Sequence, residues 1–150
     1  MNEIIEKELS WGKVVDKNTL GNISLPKKMF DSFFKASWTA SPSLTHVLIV
    51  FSPKPRALKI DIFPLEGKEV LKIQLRLTDF SVNTIEQIRE ITKDLKLPDD
   101  LFMSGVCIEQ KHCLYESYIE KNKLKIPIEL LKERFSAVES IIDVQIYNIE

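Results

Sequence analysis

The sequence predicts an α+β fold in two parts: a strand-rich unit with one short helix over residues 10–66, and a β-α-β-β-α-β unit over residues 67–150. Two observations carry the second part. Apolar residues alternate over residues 68–78 and 141–149, the period of a strand. They recur at helical spacing as Ile85, Ile88, Ile91 and Leu95, and again after Pro127 as Ile128, Leu131, Phe135 and Val138. One observation carries the first part. The apolar runs at residues 46–51 and 57–63 flank Ser52-Pro53-Lys54-Pro55-Arg56 and read as a hairpin whose prolines belong to the turn.

In chain order, residues 2–9 form a short amphipathic helix, too short to stand alone. Residues 11–16 are a strand. Residues 17–21 are a turn, because Asn18 and Gly21 tolerate positive φ, and residues 22–25 continue as a second strand. Pro26 opens a helix over residues 27–35, with Met29, Phe30, Phe33 and Phe34 on its apolar face. A polar loop, residues 37–43, leads into the hairpin. Pro64-Leu65-Glu66-Gly67 breaks the strand pattern and marks the boundary between the two units. Residues 68–78 are a half-buried strand with Lys72, Gln74 and Arg76 on its polar side. After the helix over 84–95, residues 101–109 and 113–120 pair around Gln110-Lys111-His112. A helix opened by Pro127 and a strand over 141–149 close the chain.

Composition excludes several classes of function. The 150 residues are 44% hydrophobic and 29% charged, which suits a soluble globular protein able to bury a core without metal or disulfide staples. A formal net charge of −1 excludes a globally basic nucleic-acid binder, though not a local basic patch. Two cysteines make neither a disulfide framework nor a four-cysteine zinc site. No apolar run reaches the roughly 20 residues that span a bilayer, and the N-terminus lacks the order of a signal peptide, so the expected location is the cytoplasm and no membrane partner is expected. Neither glycine-rich phosphate-loop pattern occurs. No cofactor or metal is expected.

The β-α-β-β-α-β order is that of the ferredoxin-like split-βαβ plan. The strand ending in Leu77-Thr78-Asp79, the short loop Phe80-Ser81-Val82-Asn83-Thr84 and the following helix with Ile85 and Ile88 resemble an ACT domain, the small-molecule sensor of amino-acid metabolism. Asp79 matches the aspartate that this loop carries in ACT domains. The family's proline and glycine are absent, and Asn83 is the residue suited to a glycine-like left-handed position. The first half resembles the swapped-hairpin AbrB/SpoVT-like DNA-binding domain. The resemblance rests on Lys13-Val14-Val15-Asp16, Leu20-Gly21-Asn22-Ile23-Ser24-Leu25-Pro26-Lys27-Lys28 and the later hairpin. Together the two resemblances imply a ligand-responsive transcription regulator that is a homodimer or a higher even oligomer.

Candidate sites follow, each with an ordinary alternative. Residues 10–35 hold five lysines against Asp16 and Asp31, a net of +3, whereas residues 67–150 carry a net of −3. Lys13, Lys17, Lys27 and Lys28 are the candidate contacts to double-stranded DNA, since phosphate neutralisation scales with the cations engaged, and the resemblance adds Asn22, which follows Gly21 where the AbrB/SpoVT-like family has an arginine. A solvated lysine edge is the plainer reading. Asp79, Ser81, Val82, Asn83 and Thr84 gather at a helix start, whose free N–H groups suit a small zwitterion or anion such as an amino acid. Plain helix capping is the competing role. Cys107 and Cys113 lie equally far from Gln110 and would face each other in a symmetric hairpin. They read first as two reduced, half-buried thiols, with a redox-sensitive disulfide or a soft-metal site including His112 as alternatives. His46 reads as structural.

No nucleophile, base and orienting group occur together, so the expected protein is not an enzyme. The competing functional reading is a regulatory or assembly module that binds no DNA and oligomerises through its ACT-like half. A third is an enzyme with a thiol or metal site at Cys107 and Cys113.

Overall fold

A computed structural model describes residues 8–22, 26, 28–29, 32, 44–108 and 112–149. The chain is α+β with two antiparallel sheets. The first has strands β1 (Trp11–Asp16), β2 (His46–Lys54) and β3 (Ala57–Leu65) in the order β1-β2-β3. The second has β4 (Val70–Leu77), β5 (Phe102–Cys107), β6 (Cys113–Glu120) and β7 (Ile141–Ile149) in the order β5-β6-β4-β7. Helix α1 (Val82–Asp94) joins β4 to β5, and α2 (Ile128–Ser136) joins β6 to β7. No helix among the described residues is long and apolar enough to cross a membrane.

The four-stranded sheet is covered on both faces. Leu71, Ile73, Leu75 and Leu77 of β4 pack with Ile88 and Ile91 of α1 and Leu131 and Phe135 of α2. On the opposite face Val70 and Tyr118 pack with Leu48, Val50 and Leu65 of the three-stranded sheet. This corrects the expectation of a half-buried β4. The alternation is present, but Lys72 and Gln74 are buried rather than solvated, because residues 8–10 and the first sheet lie over them. At Gly12 the backbone of the first sheet lies close against the second. A Cβ there would lie 2.6 Å from the Tyr118 ring, so only a bare backbone fits.

Pro53, expected in the hairpin turn, and Pro64, expected to end the strand pattern, instead lie inside strands. Pro53 pairs with Leu58, and Pro64 with Val47. Each missing N–H falls where no ladder bond is needed. The β1–β2 pairing ends at Trp11 and Phe51, so Pro53 lies beyond β1. The Leu65 carbonyl turns toward β2 and accepts from Thr45 N–H at 3.2 Å. Odd-numbered residues of β3 therefore bond to β2, while Leu58, Ile60, Ile62 and Pro64 direct their backbone groups outward from the edge.

Other expectations change in detail. Residues 8–10 are not helical, and the rest of the helix expected over 2–9 lies outside the described residues. The turn at 17–21 is a 3₁₀ helix, Lys17–Asn22, entered through an Asn18 N–H bond to Asp16 Oδ1 of 2.8 Å. Asn22 is therefore not in a strand, and residues 23–25 lie outside the described residues. Of the helix expected over 27–35, Lys28, Met29 and Ser32 are helical and the remainder lies outside the described residues. Helix α1 begins at Val82, earlier than expected, so Asn83 sits in its first turn and not in the left-handed region. Among the described non-glycine residues, that region is occupied by Lys96 alone, φ 50°. There Lys96 N–H reaches Lys93 O and Leu97 N–H reaches Thr92 O, the paired bonds that end a helix in a left-handed turn.

Candidate functional site

The residues expected to hold a ligand do come together, at the N-terminus of α1. Ser81 is the N-cap, its Oγ accepting from Thr84 N–H at 3.2 Å. Asp79 Oδ1 accepts from Ser81 N–H and from Thr84 Oγ1, both at 2.8 Å. Thr84 is buried and also lies 2.8 Å from Ser140 Oγ. The Ser81 N–H, with help from the Ser81 and Thr84 hydroxyls, holds the Asp79 carboxyl down at about 2. Val82 and Asn83 are exposed. A recess of about 400 Å³ opens beside this cluster, toward Glu139 and Ser140. Its polar groups already satisfy one another, which is the capping role the sequence offered as the plainer alternative.

On the other flank of α1 lies a more apolar cleft of about 450 Å³. One wall is α1, with Ile85, Ile88 and Arg89. The other is the edge strand β5, with Met103 and Gly105. Phe80 lies across Gly105, where a Cβ would come within 2.8 Å of its ring. At one end Asp100 accepts a hydrogen bond from Ser117 Oγ. Burial pushes the Asp100 carboxyl above its ordinary value, although Ser117 pulls the other way. Burial, and then the charge of Asp100, raise the Tyr115 phenol far above its ordinary 10.0. Arg89 is exposed and bonds to Glu86 Oε1 at 3.1 Å. The cleft thus offers an apolar body with a cation on one rim and an acid at one end. Sequence reading missed Arg89, Asp100, Met103 and Tyr115. The signal it carried was Gly105, since an isolated glycine within a strand marks a close approach.

The remaining candidates are dispersed. Lys13 and Lys28 are exposed and Lys17 is half-buried. Lys27 and the side chain of Asn22 lie outside the described residues. The reading of Cys107 and Cys113 as reduced thiols is overturned. They form a disulfide, as the last directly opposed pair of the β5–β6 ladder. Ile108 N–H bonds to His112 O, so the cysteines occupy the adjoining non-hydrogen-bonded pair, where side chains approach closest. Among the described residues no group of His, Cys, Asp and Glu side chains is placed to hold a metal ion.

A polar cluster that the sequence did not single out lies inside the protein. Lys72 Nζ donates to Glu8 Oε2 and to Ser10 O, both at 2.7 Å, and lies 3.1 Å from Glu116 Oε2. Burial lowers the pKa of this amine, but Glu8 and Glu116 together outweigh it and leave the value raised. Lys72 and Glu116 are buried and hydrogen-bonded to one another's neighbours, with Glu8 at the open side, so the cluster fixes residues 8–10 onto the sheet rather than offering a site. Compared with family models and with curated proteins, the chain matches none.

Proposed function

We propose that the protein is a ligand-responsive regulator, which senses a small amino-acid-like molecule with its C-terminal half and contacts double-stranded DNA with its N-terminal half. The observation that carries the reading is the cleft beside α1. Its apolar walls suit a hydrocarbon or aromatic side chain, Arg89 suits a carboxylate, and Asp100 suits an ammonium group. The element order and the strand order β5-β6-β4-β7 support reading this half as the ferredoxin-like plan on which ACT modules are built. The capping cluster at Asp79 to Thr84 lies on the other side of the same helix, joined to the cleft through Phe80. A molecule in the cleft touches both α1 and β5 and so favours whichever spacing of the two it fits. It changes the output only through differential affinity for two arrangements. The exposed Lys13 and Lys28 support the DNA-facing half of the reading.

A thermal-shift screen of amino acids and related acids tests the sensor. A ligand at 100 times its Kd adds about 2.7 kcal/mol of stability, and Arg89→Glu removes the response. A flat response from folded protein defeats the sensor reading. Retention on duplex DNA that falls steeply with salt, and is lost in Lys13→Glu/Lys28→Glu, is the outcome expected of the second half. No retention at low salt defeats it.

A further inference from the structure

We propose that two copies of this chain join edge to edge through β3, in a two-fold antiparallel pair centred on Ile60. The surface is independent of the ligand and DNA reading. Strand β3 ends its sheet, and among the described residues nothing pairs with its outer edge. It is a nine-residue strand, and such edges template further pairing unless blocked. The outward backbone groups are those of Leu58, Ile60 and Ile62, and Pro64 stops the ladder at one end. On the face turned away from the four-stranded sheet, Leu58 and Ile60 are 56% and 52% exposed, and Trp11, in line with Phe51 and Ile60, is 45% exposed.

Charge selects both the occupant and the register. With Ile60 opposite its own copy, the outward groups of the two strands exchange N–H···O bonds there and between Leu58 and Ile62. Lys59 then stands opposite Asp61 of the other copy, twice, in the non-hydrogen-bonded pairs where side chains are closest. Sliding the strands by one step in either direction that keeps the outward groups aligned puts Lys59 against Lys59, or Asp61 against Asp61. The acid is under-satisfied as it stands. Asp61 Oδ2 is buried and accepts no hydrogen bond, and Lys59 Nζ approaches it only to 3.4 Å. A second lysine from the partner supplies the missing donor. The pairing also extends the apolar strip of Leu58, Ile60 and Ile62 across both copies, in a contact that closes on itself.

The test is the solution mass of the full chain by light scattering at micromolar concentration, with folding monitored by circular dichroism. Wild type is expected at twice 17.4 kDa. Lys59→Asp and Asp61→Lys each place like charges opposite one another at both positions and raise the dimer Kd by about tenfold or more. An equimolar mixture of the two variants restores the dimer, as does the double charge swap in one chain. Ile60→Pro, which removes an outward donor and leaves the bonds to β2 intact, dissociates it independently. A wild type that stays monomeric, a dimer indifferent to all three substitutions, or single variants that do not recover on mixing overturns the proposal.

Discussion

Lys72 and Glu116 form an ion pair sealed between the two sheets, Nζ to Oε2 3.1 Å, with the lysine 1% and the glutamate 0% exposed. They lie diagonally across β4 and β6, since Lys72 is directly opposite Tyr118 and Glu116 opposite Gln74. Every neighbour that completes them comes from these strands or from residues 8–10. Leu9 N–H, Ser10 Oγ and Gln74 Nε2 donate to Glu116, while Ser10 O and Glu8 accept from Lys72. Two charges inside a sheet are tolerated only with this degree of satisfaction.

Removing one partner is therefore costly. Glu116→Ala leaves Lys72 with only Glu8 and Ser10 O, strands the Leu9 N–H, Ser10 Oγ and Gln74 Nε2 donors, and is expected to cost about 3–5 kcal/mol in urea unfolding. Replacing both with apolar residues of similar volume, Lys72→Met with Glu116→Leu, costs less than Glu116→Ala alone. A double variant as unstable as the single one would show that packing, not charge, dominates here.

The same cluster sets an alkaline limit. Lys72 and Tyr118 both titrate above their ordinary values of 10.5 and 10.0, so the stability they contribute is complete below those values. It is lost as pH rises through the raised folded values, when the unfolded chain releases protons more readily. Denaturant midpoints are expected to hold up to about pH 10 and to fall above it. In the Lys72→Met/Glu116→Leu variant the fall is smaller.

Asp79 acts in the opposite direction. Its carboxyl is held at about 2 by the Ser81 N–H, so its contribution is present above the ordinary 3.8 and lost as pH falls toward 2. Titration of its side-chain carbon by NMR should give the depressed midpoint. Ser81→Ala, which removes the helix cap, should move that midpoint upward and cost about 1 kcal/mol.

The disulfide closes a short loop, its cysteines six residues apart. Chain entropy alone makes such a loop worth about 2 kcal/mol. For a chain of this size that corresponds to a melting point lower by about 4–8 °C on reduction. Cys107 is exposed, so a small dithiol reaches it without unfolding. Cys107→Ser/Cys113→Ser should melt at the reduced value and be insensitive to reductant. Equal melting with and without reductant in wild type would mean that the β5–β6 ladder holds the hairpin end unaided.

Where the sequence was legible, local periodicity carried the information. The alternation of Leu71, Ile73, Leu75 and Leu77 and the spacing of Ile88 and Ile91 belong to single elements, and each recurs in the structure in its expected role. What was not legible depended on a second layer. Lys72 and Gln74 look like a solvated face until the first sheet is laid over them, and Pro53 and Pro64 look like breakers until the ends and edges of the sheet are known. Lys96 gives no local warning of a left-handed helix end, where glycine is usual. The cleft was invisible for the same reason, because Arg89 and Met103 meet only through the packing of α1 beside β5.

The close approach of the two layers at Gly12 offers a measure of how tightly they are joined. At Gly12 an added Cβ meets the Tyr118 ring at 2.6 Å and the Leu48 side chain at 3.3 Å. Tyr118 is fully buried, and its hydroxyl is 2.9 Å from Ser10 Oγ, so the ring has no free volume to enter. Gly12→Ala is therefore expected to cost about 1–3 kcal/mol, the usual range for overpacking a core. The loss should fall on the joint between the sheets rather than on the strand itself. Hydrogen exchange should accelerate at residues 8–16, while the amides of α1 and α2 keep their protection relative to global unfolding. Uniform acceleration throughout the chain would mean that the two sheets unfold as one unit and that the joint has no separate stability.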